Sequence, residues 1–210
     1  MRADAAQNRR ELIETAAQLW ASRGMEVSMR QIAGAAGVGV GTLYRHFPSR
    51  DDLLVAVVRQ YWQRVGALTD DYLQARANNK QLAWENLLIS VCDLAIGALI
   101  AQFGPLLTPD VGHELEADLR LSREHIKSAI NCAIADGLVP ADTSLEQLFL
   151  ALAKMSRPLP INPNINAKAE AIDTQAHMRW MVHIFAQGLA QQAQQALNQR
   201  SARPKPTGRP

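Results

Sequence analysis

The sequence has few cysteines, no long apolar run and no segment with the two-residue period of a β-strand. Its only cysteines, Cys92 and Cys132, do not form a CxxC pair. This argues against a disulfide scaffold or a zinc ribbon and favours a reducing, cytoplasmic location. The longest apolar stretch, at 94–101, is much shorter than the roughly 20 residues of a membrane span, and no secretory signal is apparent. We therefore expect no membrane partner. The histidines lack metal-ligand spacing, so we expect no metal site, and we expect no cofactor.

Charge is distributed unevenly along the 210 residues. Residues 1–64 carry nine Lys/Arg against six Asp/Glu, residues 65–199 carry nine against fourteen, and residues 200–210 carry four against none. A basic N-terminal part on a mildly acidic body indicates a polyanionic partner, although a difference of a few charges also arises by chance. The basic tail is rich in proline and is predicted to be disordered.

Helical periodicity runs through the chain and predicts an all-α fold. Ser28 and Gln31 have the spacing of a capping box, and Ser49 is expected to cap another helix. Gly37 follows a helix as a left-handed turn residue. The predicted helices cover 9–23, 28–35, 39–45, 50–76, 81–103, 110–136 with a possible break near Gly112, 144–156 and 169–199.

The segment GVGVGTLYRHF, at 37–47, combines glycines with closely spaced polar groups. It does not fit a nucleotide cradle, because Thr42 stands where the third glycine is needed, a helix precedes it, and no G-K-[ST] is present. A helix-turn-helix explains it better, with Gly37 in the turn and with Leu43 and Phe47 facing the core. The polar side chains then remain exposed, where they can reach phosphates and base edges.

The longer stretch SMRQIAGAAGVGVGTLYRHFPSRDDLL resembles the DNA-binding signature of the TetR family of bacterial repressors. The resemblance covers about residues 9–60. It implies an N-terminal three-helix helix-turn-helix domain and a C-terminal α-helical domain that binds a ligand and dimerises through its last two helices. We therefore expect domains at 1–48 and 49–199, with helix 50–76 linking the two, and a disordered basic tail at 200–210.

The resemblance also implies which residues contact double-stranded DNA. Arg30 matches a base-reading position, and Thr42 and Tyr44 match phosphate contacts on the recognition helix. Taken alone, Tyr44 or Arg45 could be a solvated surface residue, and His46 could cap its own helix. The predicted DNA-binding residues are Arg30, Gln31, Val40, Gly41, Thr42, Tyr44, Arg45, His46 and Arg50.

Two departures from the family pattern concern the start of the recognition helix. Gly39 stands where the family usually has a serine cap, although glycine is tolerated there. Val40 and Gly41 stand where base-reading side chains often lie. We expect Val40 to meet a thymine methyl group and Gly41 to let the backbone approach the DNA.

The C-terminal half has two predicted surfaces. An apolar ligand pocket is predicted at Trp84, Leu88, Cys92, Phe103, His125 and Met155, and the alternative is a filled core. A homodimer interface is predicted at Leu145, Leu148, Phe149, Leu152, Met181, Ile184, Phe185 and Gly188, and the alternative is an intramolecular core.

Together these features predict a dimeric repressor that leaves a palindromic operator when a small, largely apolar effector binds. One alternative is a ligand-independent regulator or activator with a filled C-terminal core. The other is an enzyme in a helical bundle. That alternative is disfavoured, because its densest polar cluster resembles a solvated helix face and no nucleophile–base arrangement is present. The residues of that cluster are Asp93, Glu114, Glu116, Asp118 and His125.

Overall fold

The computed structural model of the chain describes residues 2–94, 108–157 and 173–201. Over these residues the chain forms eight α-helices and no β-strand, which confirms the all-α prediction. In chain order the helices are α1 (Arg2–Arg23), α2 (Met29–Ala35), α3 (Val40–His46), α4 (Arg50–Ala75), α5 (Lys80–Asp93), α6 (Pro109–Ala135), α7 (Leu145–Met155) and α8 (Thr174–Ser201).

Side-chain caps define where α2 and α4 begin. Ser28 Oγ accepts a hydrogen bond from the Gln31 backbone N–H at 3.3 Å, and Gln31 Oε1 accepts one from the Ser28 N–H at 2.8 Å. Ser49 and Asp52 form the same reciprocal pair at the start of α4. Gly37 follows α2 with a φ of 68°. The predicted capping box, the predicted cap and the predicted turn glycine are therefore confirmed.

The observed helix bounds differ from the predicted ones in three places. Helix α1 begins at Arg2 instead of residue 9. Helix α6 continues through Gly112 without the predicted break. Helix α5 ends at Asp93, with Leu94 in the cap position, and residues 95–103 of the predicted helix 81–103 lie outside the described residues, as does the tail after Ser201.

Two hydrophobic cores share the long helices α4 and α6. The first core joins α1, α2 and α3 to the N-terminal half of α4, and it also takes in Val111 and Leu115 from the start of α6. The second core joins the C-terminal parts of α4 and α6 to α5, α7 and α8. A displacement of α4 or α6 therefore affects both cores, because close-packed side chains cannot move independently.

Ion pairs reinforce the contacts that α4 makes with α6. Arg59 Nε lies 2.7 Å from Asp118 Oδ2. At the other end of α4, the buried carboxylate of Asp136 lies 2.7 Å from Arg76 Nη2 and 2.8 Å from Lys80 Nζ. Burial alone would raise the pKa of Asp136, but hydrogen bonds from Lys80 and Arg76 outweigh that effect and lower it. Over the described ranges, no helix is long and apolar enough to cross a membrane.

Candidate functional site

The outward side of α3 exposes polar and apolar side chains, and its inner side is buried in the first core. Leu43 and Phe47 are fully buried in the first core, as predicted. Tyr44, the next residue after Leu43, is 49 % exposed, and Val40 and Arg45 are exposed with it. The buried pair fixes the rotation of α3, so that a phenol, a guanidinium and a small apolar group face outward.

The other predicted contact residues of α3 lie beside this exposed set. Gly41 is exposed, and a Cβ added there would meet no atom within 4 Å. Thr42 and His46 are half-buried. The Arg9 guanidinium lies over the Phe47 ring, 5.0 Å from its centroid, and so brings a further cation to the C-terminal end of α3. No local sequence signal indicates this neighbour, because α1 and α3 come together only in the folded chain.

The two predicted contact residues of α2 are both exposed. Arg30 extends from the first turn of this helix, directly after the buried Met29. Gln31 Oε1 accepts the capping hydrogen bond from Ser28, so this oxygen serves the start of α2. At α3, Gly39 occupies the cap position, and no side chain of the described residues caps that helix.

The Arg50 guanidinium binds to other groups of the same chain. Its Nη1 donates a hydrogen bond to the Val27 carbonyl oxygen at 3.0 Å, and its Nη2 donates one to the Met25 carbonyl oxygen. The guanidinium also lies over the Trp20 ring, 5.3 Å from the centroid. These contacts connect the start of α4 to the turn after α1. Arg50 therefore has a packing role that its position in the motif did not indicate.

A cavity of about 530 Å³, counting its mouth, lies between α4, α5, α6 and α7. Trp62 and Phe149 form part of its wall, with ring centroids 6.2 Å apart and planes 14° from parallel. Its wall is apolar, as the walls of small-molecule sites usually are. The lining residues are Tyr61, Trp62, Val65, Thr69, Trp84, Leu87, Leu88, Val91, Ile126, Ala129, Ile130, Leu145, Leu148, Phe149 and Leu152.

Only part of the predicted ligand pocket coincides with this cavity. Trp84 and Leu88 line it. Cys92 is buried beside the wall, where its Sγ lies 3.8 Å from the Leu152 carbonyl oxygen, and burial raises the pKa of its thiol to about 12. Phe103 lies outside the described residues.

The two remaining pocket predictions fall away from the wall. His125 is partly exposed on α6, with Nδ1 3.7 Å from Asp70 Oδ1. Met155 packs against the second core without lining the cavity. Their polar or polarisable groups suggested a pocket from the sequence, but the helix rotations direct them elsewhere. Over the described ranges, no group of three or more His, Cys, Asp or Glu side chains could hold a metal ion.

Four residues predicted for a dimer interface lie on the cavity wall. Leu148 and Leu152 are buried within a single chain, and Leu145 and Phe149 are half-buried beside them. Within one chain these side chains therefore contact the cavity and the second core, and their assignment to an intermolecular contact stays a prediction. The periodicity of α7 showed an apolar stripe, but an apolar stripe packs equally well inside a chain or between chains.

On α8 some of the predicted interface residues pack against the second core and others lie at the surface. Met181 and Phe185 pack against the second core. Ile184 is 53 % exposed, and Gly188 is half-buried one turn further on. Trp180, one turn before Ile184, is 59 % exposed and was missed by sequence reasoning, although its spacing of four residues from Ile184 places both on one stripe.

Comparisons with known proteins agree with this arrangement. A family model described as bacterial regulatory proteins, tetR family, matches residues 12–57. Two HTH-type transcriptional regulators of Staphylococcus aureus strains are similar, one 39 % identical over 77 residues and the other 44 % identical over 61 residues. These matches cover 34 % and 29 % of this chain and 42 % and 33 % of the relatives, so the chain spans less than half of the length of either.

Solved structures share the fold over most of the chain. A TetR transcriptional regulator from Streptomyces coelicolor superposes with a TM-score of 0.58 at 22 % identity, covering 86 % of this chain and 97 % of that one. A TetR family regulator from Marinobacter aquaeolei superposes with a TM-score of 0.59 at 17 % identity, covering 92 % and 98 %. The likeness confirms the predicted architecture of a helix-turn-helix domain followed by a helical C-terminal domain.

Proposed function

We propose that the chain is a member of the TetR family of bacterial regulatory proteins, whose family model matches residues 12–57, and that it acts as a dimeric transcriptional repressor. In this proposal two copies bind a palindromic operator in double-stranded DNA. A small, largely apolar molecule in the cavity then releases them. Such a protein acts by binding and not by catalysis.

The outward side of α3 is the observation that carries this proposal. Tyr44 and Arg45 supply a hydroxyl and a guanidinium, which donate hydrogen bonds to phosphates and base edges. Val40 supplies an apolar contact suited to a thymine methyl group. Gly41, which has open space around it, lets the helix backbone come close to the DNA. Arg30 on α2 adds a second exposed guanidinium to the motif, whereas Arg50 is left out of the contact face because its guanidinium is bound internally.

Dimerisation follows from the small size of one recognition helix. Helix α3 has only seven residues, so one copy can reach few base pairs. Two such helices about 34–36 Å apart would read two half-sites in successive major grooves. The exposed apolar pair Trp180 and Ile184 on α8, with Leu150 exposed on α7, supplies a surface for the second copy.

The shared helices provide the route from cavity to DNA. Helix α4 contributes Tyr61, Trp62, Val65 and Thr69 to the cavity wall, and its N-terminal half belongs to the first core with α3. Helix α6 likewise contributes Ile126, Ala129 and Ile130 to the wall and Val111 and Leu115 to the first core. A ligand that prefers one arrangement of α4 and α6 would change the separation of the two recognition helices, with a coupling free energy of about 1–3 kcal/mol.

The test is fluorescence anisotropy with labelled DNA from upstream of the protein's own gene, in a series of salt concentrations. Arg45→Ala should weaken binding about tenfold or more and reduce the salt slope by about one, because a phosphate contact releases a counterion. Arg123→Ala removes an equally charged, exposed arginine from α6 and should leave binding unchanged. Equal affinities for the wild type and both variants would contradict the assignment of α3 as the contact face.

A reporter gene placed behind the same upstream DNA distinguishes repression from activation. Removing the regulator should raise expression of the reporter if the protein is a repressor. Lower expression after its removal would identify an activator with the same DNA-binding face.

A further inference from the structure

Arg9 on α1 lies against the end of the recognition helix α3. Its guanidinium carbon is 5.0 Å from the centroid of the Phe47 ring, and Phe47 directly follows the last residue of α3. Arg9 lies one turn before the buried Leu12 and Ile13, on the face of α1 that packs against the first core. The packing of α1 on α3 therefore determines where this side chain lies.

The Arg9 guanidinium is held in place and is still accessible. Arg9 is exposed to solvent, whereas Phe47 beneath it is only 1 % exposed. A guanidinium over an aromatic face is attracted by the ring, and its N–H groups can still donate to a further acceptor. A long side chain that is already held in one position loses less rotamer entropy when it makes a new contact. Arg9 is thus a preorganised cation at the protein surface.

The positive charge of Arg9 is not neutralised by the part of the chain that the structure describes. No carboxylate there forms an ion pair with Arg9. The two acidic side chains that follow it on α1 have other partners. Glu11 accepts a hydrogen bond from Gln7 at 2.8 Å, and Glu14 lies 2.9 Å from Arg64 on α4. An unpaired surface cation favours an anionic partner.

Basic residues of α3 lie next to Arg9. Arg45 and His46 are in the last turn of α3, and the His46 ring centroid is 6.4 Å from that of Phe47. A recognition helix in the major groove, which is about 12 Å wide, has a phosphate backbone on each side. A cation beside the end of that helix therefore meets phosphate oxygens and not base edges.

We propose that Arg9 binds a phosphate of the DNA backbone beside the groove that α3 enters, and that the Phe47 ring positions its guanidinium for this contact. The inference rests on the proposed function in that α3 is taken as the recognition helix. It extends the contact face from α2 and α3 to α1. The contact adds affinity for DNA of any sequence, because a phosphate carries no sequence information.

Fluorescence anisotropy of the full chain, with the upstream DNA and with an unrelated duplex of equal length, tests the proposal. Arg9→Met removes the charge but keeps an unbranched apolar side chain over Phe47, so the packing contact remains. Affinity for both DNAs should fall about tenfold at about 50 mM salt, and the salt slope should decrease by about one. With that change in slope, the deficit should shrink about threefold by about 200 mM salt.

Two further variants distinguish a phosphate contact from packing and from net charge. Arg9→Lys keeps the positive charge and should retain the wild-type salt slope. Arg23→Met removes the same charge from the last turn of α1, about 20 Å away along the helix, and should leave affinity and slope unchanged. Thermal unfolding curves give the temperature below which every variant is folded, and the titrations are made below it.

Four results would overturn the inference. Wild-type affinity and slope in Arg9→Met, or a loss confined to the upstream DNA with an unchanged slope, would leave Arg9 as a packing residue. A slope that Arg9→Lys reduces as much as Arg9→Met would show that the charge is not the source. An equal effect of Arg23→Met would assign the loss to net charge and not to a contact.

These outcomes differ from failure of the proposed function. Selective binding to the upstream DNA that Arg9→Met does not affect refutes only the contact of Arg9. Equal affinity of the wild type for both DNAs, with a salt slope that Arg9→Met reduces, supports the contact and counts against a sequence-selective repressor.

Discussion

The indole ring of Trp62 on α4 stacks on the phenyl ring of Phe149 on α7, with 6.2 Å between their centroids. The two residues are 87 positions apart in the sequence, and both line the cavity. Trp62 also packs against the first core, which contains the buried residues of α2 and α3. One side chain therefore contacts both the cavity and the core that orients the recognition helix.

This position predicts that Trp62→Leu weakens the link between ligand and DNA. The smaller side chain loses the stacking contact, so ligand binding displaces α4 less. We expect operator affinity within about threefold of wild type, with a ligand-induced loss of affinity reduced by about 1 kcal/mol, within the usual range of coupling energies. Anisotropy titrations with and without naphthalene, an apolar probe of the cavity, measure both quantities. An unchanged ligand effect would show that coupling takes another route.

Filling the cavity should abolish the response to ligand and retain DNA binding. Ala129 on α6 is buried on the cavity wall, so Ala129→Phe places a ring in existing space. Ala133 is equally buried one turn later but does not line the cavity. Ala133→Phe should therefore overpack the second core and lower the free energy of unfolding by about 1–3 kcal/mol.

Calorimetry and denaturant unfolding of these two variants provide the measurement. The expected pattern is a stable Ala129→Phe protein that no longer binds naphthalene, beside a destabilised Ala133→Phe protein. Undiminished ligand binding by Ala129→Phe would place the ligand elsewhere.

Gly41→Ala should separate stability from DNA affinity. The added Cβ meets open space, and alanine is favoured over glycine by up to about 1 kcal/mol within a helix, so at this second residue of α3 the melting temperature should rise slightly. On the DNA side of α3 the same methyl group would hold the backbone away from the groove and lower operator affinity about tenfold. Gly112→Ala on α6 also meets open space and should stabilise the fold without lowering affinity. If Gly41→Ala binds DNA as well as wild type, the backbone does not approach the groove at this residue.

The ion pairs of Asp136 predict a pH-dependent contribution to stability. Its folded-state pKa lies below the unfolded value of about 3.9, so the contribution is complete above that pH and is lost as pH falls through the folded pKa. Asp136→Asn should lower the free energy of unfolding by about 1–2 kcal/mol at pH 7, because it removes the charge of a buried, hydrogen-bonded carboxylate. The loss is no larger because Lys80, one of its two partners, is largely exposed and screened by solvent. The difference from wild type should shrink below about pH 4.

Urea unfolding at several pH values measures this difference, with Asp142→Asn at an exposed position as the control. A difference that stays constant from pH 7 to pH 3 would mean that the charge of Asp136 is not its source.

The exposed stripe on α8 predicts where two copies meet. Ile184→Glu places a charge on this surface and should shift sedimentation from dimer to monomer at micromolar concentration, since an unpaired charge is unfavourable in a buried interface. Leu121→Glu introduces the same charge at an exposed leucine on α6 and should leave the dimer intact. A wild-type protein that sediments as a monomer would rule out the dimeric mechanism.

The N-terminal part of the fold could be predicted from local sequence signals. Ser28 and Gln31 are three residues apart, and Gly37 supplies a turn that needs no distant partner, so short-range chemistry determined α2 and α3. The role of Arg50 was not readable in this way, because its acceptors on Met25 and Val27 are brought to it only by folding.

The sequence predicted the helices of the C-terminal part, but not what the apolar face of each helix contacts. Leu148 and Leu152 form an apolar stripe whether they face a cavity, a core or another chain, and periodicity cannot choose between these environments. The cavity itself depends on α4 crossing α5, α6 and α7, and the pairing of Trp62 with Phe149 has no signature in either segment. Residues that were predicted to contact the ligand because they are polar, such as His125, therefore do not line the cavity.

Hydroxyl-radical footprinting of the upstream DNA tests the central claim most directly. The account predicts two protected patches on one face of the duplex, about one helical turn or a whole multiple of it apart. They should weaken when naphthalene is added and be absent with Tyr44→Ala. Protection spread evenly along the DNA, or patches that persist with Tyr44→Ala, would contradict a dimer that reads its operator through α3.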